Sequence, residues 1–257
     1  MELLDLFFGG FSIIFLGIFL TLILILLAKS IGKYPEPLPR SEKPKMDVLD
    51  SIIFWMINFV WLSFFIFLLN PIFINLFGDS YYIGLIVGTL INLIIPSIYV
   101  IYKDKWNIND LALGTKLKSW PIAMSSIIFY LLFGIYNFFR LVPIQLPWYS
   151  LLLLFYSNAF LEEFFFRVII QSKLERALGQ FKAIVYQAIL FMLIHIPANI
   201  IRFTMDGYLP RLIWNFGFQL MHGIIFGIII MKTRNIWPSV ICHFLNNWTG
   251  TLILLFL

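Results

Sequence analysis

Hydrophobic positions in this chain come in long runs rather than in stripes. Apolar stretches of about 20 residues, the length that carries a helix across roughly 30 Å of hydrocarbon, fall at about 7–28, 52–77, 82–102, 121–140, 149–171, 181–201, 211–231 and 236–257. The pattern predicts an all-α fold, a polytopic membrane bundle of about eight transmembrane helices. Asn70-Pro71 in the second run and Pro96 in the third are where a kink or a short interfacial turn is expected, because proline removes a backbone donor. The chain opens with Glu2 and Asp5 and shows neither a basic n-region nor a small-residue cleavage site, so 7–28 reads as a retained span.

Composition agrees with the runs: 61% of residues are hydrophobic and only 12% charged, against about 25% charged in soluble domains. The basic residues then supply an orientation. Counted over alternate connections, 15 of the 18 Lys and Arg fall on one side, in the groups 29–45, 103–118, 167–182 and 232–234; Arg140, Arg202 and Arg211 fall on the other. By the positive-inside rule the rich side is cytoplasmic and both termini lie outside, in a multi-pass protein of the cell membrane. The net charge of +5 is accounted for by this topology signal and calls for no nucleic acid.

Two connections are longer than a turn. Residues 30–50, with four prolines and mixed charge, read as an extended cytoplasmic linker, and Lys103 to Trp120 as a short interfacial segment. No soluble domain and no internal repeat is visible. The lone Cys242 excludes an internal disulfide and a paired-cysteine metal or redox site, and reads as a packed apolar residue.

Against this background the polar residues of the last hundred positions stand out. A charge at the bilayer centre costs about 2.5–3.5 kcal/mol on insertion scales, so acids and histidines in such runs mark function by default. In the fifth run Glu163 and Arg167, four apart, share a helix face and can neutralise each other; taken alone, that hexad reads equally as an ion pair that fixes helix packing. Glu162 points about 100° away and must find a histidine, a water or a metal, or else hold a proton. The sixth run holds Phe191 and His195 at i and i+4; the eighth holds His243 and Asn247 at the same spacing, two donors aimed at one point. His222 shows no polar companion at helical spacing and reads as a packed core residue. A rise of 1.5 Å per residue places Glu162, His195 and His243 at about 13, 18 and 10 Å from the cytoplasmic ends of their helices, compatible with one inward-opening chamber.

A carboxylate and an imidazole holding a water can serve as general base toward a carbonyl, while a second imidazole and a carboxamide donate to the developing oxyanion. Peptide hydrolysis suits this set. The same residues can hold zinc through Glu162, His195 and His243 with a fourth position left for water, and the sequence does not separate the two.

Glu162-Glu163-x-x-x-Arg167, Phe191-x-x-x-His195 and His243-x-x-x-Asn247, with Gly223-x-x-x-Gly227 and Asn235-Ile236-Trp237-Pro238 between them, resemble the CAAX protease and bacteriocin-processing group of intramembrane endopeptidases. The resemblance covers about 149–253, which it implies is the catalytic core, preceded by an N-terminal part of further transmembrane helices, 1–148. It implies Glu162 as general base, His195 as its partner on the water, His243 and Asn247 as oxyanion donors, and Glu163 and Arg167, with Phe191, as supporting residues. It further implies a membrane-embedded peptide or lipidated protein as substrate, and a glutamate mechanism without a cofactor ahead of a zinc-dependent one. A non-catalytic bacteriocin-immunity or scaffold protein on the same fold stands as the other reading. A transporter would show repeated halves with matching broken helices, and none is visible. The His-Glu-x-x-His, Gly-x-Ser-x-Gly and Gly-x-Gly-Asp signatures of other proteases are absent.

Overall fold

A computed structural model describes residues 37–72, 81–114, 117–140, 146–207 and 209–255. The expected span 7–28 and the end of 52–77 lie outside these. All regular structure among the described residues is helical: α1 (Pro44–Ile72), α2 (Tyr82–Tyr102), α3 (Trp120–Arg140), α4 (148–178), α5 (Gln180–Ile194), α6 (Ile196–Asp206), α7 (Leu209–Thr233) and α8 (Trp237–Leu254). Each follows one of the apolar runs, except that the sixth run is divided between α5 and α6. Three of them, α1, α2 and Leu212–Thr233 of α7, are long and apolar enough to cross a membrane, and α5 with α6, bent by 41°, makes a fourth if the pair is one span. The other described runs fall short for visible reasons, α3 because its apolar stretch, Trp120–Tyr136, is shorter. Glu162, Glu163, Arg167 and Lys173 dilute α4, and His243, Asn246 and Asn247 dilute α8.

Pro96 does not break its helix, and Pro71 lies one residue before the end of the described part of α1. A widened turn precedes each one: the Asn70 N–H bonds to the carbonyl of Phe65 and the Ile95 N–H to that of Leu90, five residues back. Proline forfeits the bond to i−4 and crowds that carbonyl, and opening the preceding turn makes room without interrupting the helix. The linker also ends sooner than its composition suggests. Pro44 opens α1, where its missing N–H costs nothing, so 44–50 are helical rather than extended.

The described residues form two compact units, one of the chain up to Gly84 with Ile170–Gly227, the other of Leu85–Ile169 with residues from Ile228 onward. In the first, the C-terminal turns of α4 hold the start of α1. Lys173, fully buried, places its Nζ 2.8 Å from Asp47 Oδ1 and 3.2 Å from Asp50 Oδ2. The strap before α1 is fixed to the same turns, Leu38 N–H donating to Glu175 Oε1 and Ser41 N–H to the Arg176 carbonyl. Lys173 and the equally buried Arg167 are therefore not loop charges, and the positive-inside count loses two of its 15 residues. Farther along α1, the Trp55 indole donates to the Leu190 carbonyl at 2.9 Å.

α7 presents Gly223 and Gly227 to α5 and α4. A Cβ on Gly223 would stand 2.8 Å from the Ala188 Cα, and one on Gly227 2.6 Å from Gln187 Nε2. That approach lets two buried carboxamides reach the α7 backbone: Gln187 Nε2 donates to the Gly223 carbonyl at 2.7 Å and Gln171 Nε2 to the Gly227 carbonyl at 2.9 Å. Small residues thus convert an apolar contact into hydrogen-bonded helix packing.

In the second unit α3 packs on α8 with Gly134 against Thr249. The segment after α2 holds itself with reciprocal Asn107–Asp110 bonds and is clamped to the turn between α7 and α8. Ile236 N–H donates to the Ala112 carbonyl, Lys118 N–H to that of Thr233 and Asn235 Nδ2 to that of Gly114.

Replacing Gly223 by Ala forces the Cβ onto the Ala188 backbone and is expected to destabilise the protein by about 1–3 kcal/mol. Gly88→Ala, whose Cβ would find only the Asn92 amide at 3.9 Å, is expected to leave stability unchanged or raise it. Thermal unfolding of the two variants in detergent checks both.

Candidate active site

Within α4 a single α-helical turn, Leu161–Glu163, lies between two widened turns, Phe155–Phe160 and Phe164–Ile170. Such widened turns recur at functional positions because they re-aim side chains without breaking the helix. Glu163 points into the unit and is fully buried. Arg167 answers it from one turn on, Nε to Oε2 at 3.1 Å and Nη2 to Oε1 at 3.3 Å, a two-pronged pair at the expected i, i+4 spacing. α8 supplies two further donors: the Ser239 hydroxyl donates to Oε2, and His243 Nδ1 lies 3.0 Å from Oε1. Both carboxylate oxygens of Glu163 are thereby committed. Ser239 is four residues before His243 and so shares its helix face. That spacing was the available signal for a residue the sequence reading passed over.

The Glu163 carboxylate can only accept, so His243 donates from Nδ1 and its ring is oriented by that bond. Nε2 then plays one of two parts. In the neutral ring it offers a lone pair; in the imidazolium it is a donor. Glu162, on the half-buried side of the same turn, lies within electrostatic reach of His243, Glu163 and Arg167. Asn247, one turn beyond His243, is exposed, and its amide oxygen accepts from Asn246 Nδ2 at 2.7 Å. Glu162, Glu163, Arg167, His243 and Asn247 thus belong to one unit, on two helices.

His195 and Phe191 belong to the other unit. His195 occupies the break between α5 and α6. Its N–H turns back to the Met192 carbonyl, so the Phe191 carbonyl is left to the His195 ring, whose Nδ1 reaches it at 2.7 Å. The phenyl and imidazole rings meet edge to face at 4.9 Å. Phe-x-x-x-His spacing is what this closure needs, since the residue at i+4 sits over the carbonyl of i. The carbonyl can only accept, so His195 donates from Nδ1, and in the neutral ring the lone pair is on Nε2. His222 repeats the arrangement with Phe218, Nδ1 to its carbonyl at 2.8 Å, its ring lying against Phe218 and Phe226. It is buried, as expected, but not without polar company, since Gln219 lies three positions earlier on the same face.

For metal chemistry one unit supplies two of the three proposed zinc donors, Glu162 and His243, whereas a catalytic zinc site takes three protein ligands. A histidine whose Nδ1–H is held by a carboxylate presents Nε2 in the form that ligates zinc, and Glu162 is a second oxygen donor nearby.

The family model described as Type II CAAX prenyl endopeptidase Rce1-like matches residues 143–249. No curated protein and no solved structure matches the chain. The matched segment contains all three motifs, Glu162 to Arg167, Phe191 to His195 and His243 to Asn247. Residues 143–249 are therefore an Rce1-like domain of the CAAX protease family.

Proposed function

We propose that this protein is an intramembrane endopeptidase that hydrolyses a peptide bond of a membrane-associated peptide or lipidated protein, with Glu162 as the general base. The observation that carries the reading is the saturation of Glu163. Its oxygens already accept from Arg167, Ser239 and His243, so taking a proton from water would cost it buried hydrogen bonds. Water activation then falls to its neighbour. Glu162 accepts the proton as the water oxygen attacks the scissile carbonyl, and returns it to the leaving amine as the C–N bond breaks. The oxyanion is met by the Asn247 carboxamide and by His243 Nε2 in the imidazolium form, which the Glu163 carboxylate supports from behind. His195, its proton held on Nδ1 by Phe191, keeps the Nε2 lone pair that a partner on the water requires.

The same carboxylate–imidazole pair between Glu163 and His243 favours, as a second reading, a zinc-dependent form of the enzyme. There Glu162, His195 and His243 would hold the ion, and the ion would supply an activated water.

In membrane terms the proposal is a multi-pass protein of about eight spans with both termini outside, the core at 149–253 and its chemistry in the cytoplasmic half. The substrate reaches it laterally or from the cytoplasm.

Cleavage of prenylated CAAX peptides by the purified protein in detergent tests the roles. Glu162→Gln and His195→Ala are each expected to lower kcat by about 10²–10⁴-fold with little change in melting temperature. Activity that survives a chelator supports the glutamate form, and loss restored by zinc supports the metal form. Full cleavage by both variants would overturn these residue roles, and a cell phenotype that survives both substitutions would promote the scaffold alternative.

Glu163→Gln separates the two adjacent acids. It leaves Arg167 buried without its counter-charge and is expected to destabilise the protein by about 3–5 kcal/mol, whereas Glu162→Gln leaves the melting temperature near that of the parent.

Sidedness is read by impermeant maleimide on single cysteines in a Cys242→Ala background. Thr204→Cys is expected to label in intact cells and Lys43→Cys only after lysis.

A further inference from the structure

Apolar helices of the first unit carry three carboxamides that the proposed chemistry leaves unused. Asn199 on α6 is buried, 1% exposed, and donates from Nδ2 to Gln219 Oε1 on α7 at 3.0 Å. Its own oxygen accepts from Asn215 Nδ2 and Gln219 Nε2, each at 3.5 Å. Asn215 and Gln219 are four apart and so present one face of α7. Carboxamides removed from water in such surroundings carry a desolvation cost that an aliphatic side chain would avoid. Their place in the fold suggests what they do.

Asn199 stands one turn after His195, and its N–H closes that turn on the His195 carbonyl at 2.9 Å. The turn lies immediately beyond the 41° bend. At the bend the regular ladder is interrupted: the His195 N–H goes to Met192, and Pro197 has no N–H to give. Backbone hydrogen bonding alone therefore does not fix the angle between α5 and α6, whereas His195, at the hinge itself, needs a single orientation to keep Nδ1 on the Phe191 carbonyl.

We propose that Asn199 is a positioning residue for His195: by hydrogen bonding to Gln219, with Asn215 completing the network, it locks α6 on α7 and so holds the bend at one angle and the imidazole in one tautomer and orientation. The inference rests on the endopeptidase reading only for its catalytic consequence; the geometric claim about His195 stands apart from it.

The test uses the full chain in detergent, with ¹⁵N-labelled histidine. The His195 imidazole resonances are assigned by their loss in His195→Gln, and those of His243 serve as the internal control. The parent is expected to show His195 as one Nδ1-protonated species. Asn199→Leu is expected to give mixed tautomers or exchange broadening at His195 with His243 unchanged, and the exchanged pair Asn199→Gln with Gln219→Asn to restore the single species. Gln219→Leu, half-buried at the edge of the network, should reproduce the effect if Asn199→Leu does not fold.

In the kinetic arm, cleavage of a prenylated CAAX peptide is expected to lose about ten- to a hundredfold in kcat in Asn199→Leu, with KM within about twofold and recovery in the exchanged pair. Unchanged His195 resonances in a folded variant, or equal disturbance of His243, would overturn the proposal. A parent that cleaves no peptide would instead count against the endopeptidase reading, and the resonances would still decide the role of Asn199.

Discussion

A carboxylate taken out of water must be given donors, and in this protein the carboxylate of Glu163 gathers them from two helices. Arg167 closes on it from its own helix, while Ser239 and His243 reach it from α8. Breaking such a buried pair from one side leaves an uncompensated charge, a far larger penalty than losing a surface contact. The register of α8 against α4 is consequently tied to a polar arrangement rather than to apolar packing alone. Apolar surface is a poor guide to register in lipid, where the tails are as hydrophobic as the side chains. The interaction that orders the helices also orients the imidazole, so structural and chemical demands meet in one side chain.

The other unit uses amides for the same purpose. Gln171 and Gln187 reach carbonyls of α7 that glycine exposes, and Asn199 reaches Gln219 near the bend. These bonds are directional, which suits a helix whose neighbours would otherwise slide. The glycines and the glutamines form one device. Without the close approach the amides could not reach the backbone, and the bonds they make there add a directional contact to the apolar packing.

Much of this was legible in the sequence because membrane helices announce themselves by run length, and i, i+4 spacing carries directly into contact. The Glu163–Arg167 pair and the Phe191–His195 closure are both of that kind. What was not legible depends on partners distant in the chain. Lys173 counted as a loop charge until Asp47 and Asp50 were found against it, and Ser239 is too small and too common in apolar runs to stand out beside His243. Proline was misleading as well: Pro96 looks like a break, yet a widened turn absorbs it, while a bend falls at His195, two residues before Pro197. The two runs whose polar residues make them the least membrane-like, α4 and α8, are the ones that the Glu163, Arg167 and His243 cluster joins.

The ion cluster of Asp47, Asp50 and Lys173 bears on how the protein is made. The two acids leave the ribosome with α1, long before α4 brings the lysine that pairs with both. Until then the first turns of α1, which carry Lys45 beside the two acids, are best kept at the aqueous surface, with only the apolar remainder of the helix seated among lipids. Capture of Lys173 removes that constraint. Completion of α4 is thus the moment at which the beginning of α1 can be drawn into protein, an assembly checkpoint written into a salt bridge.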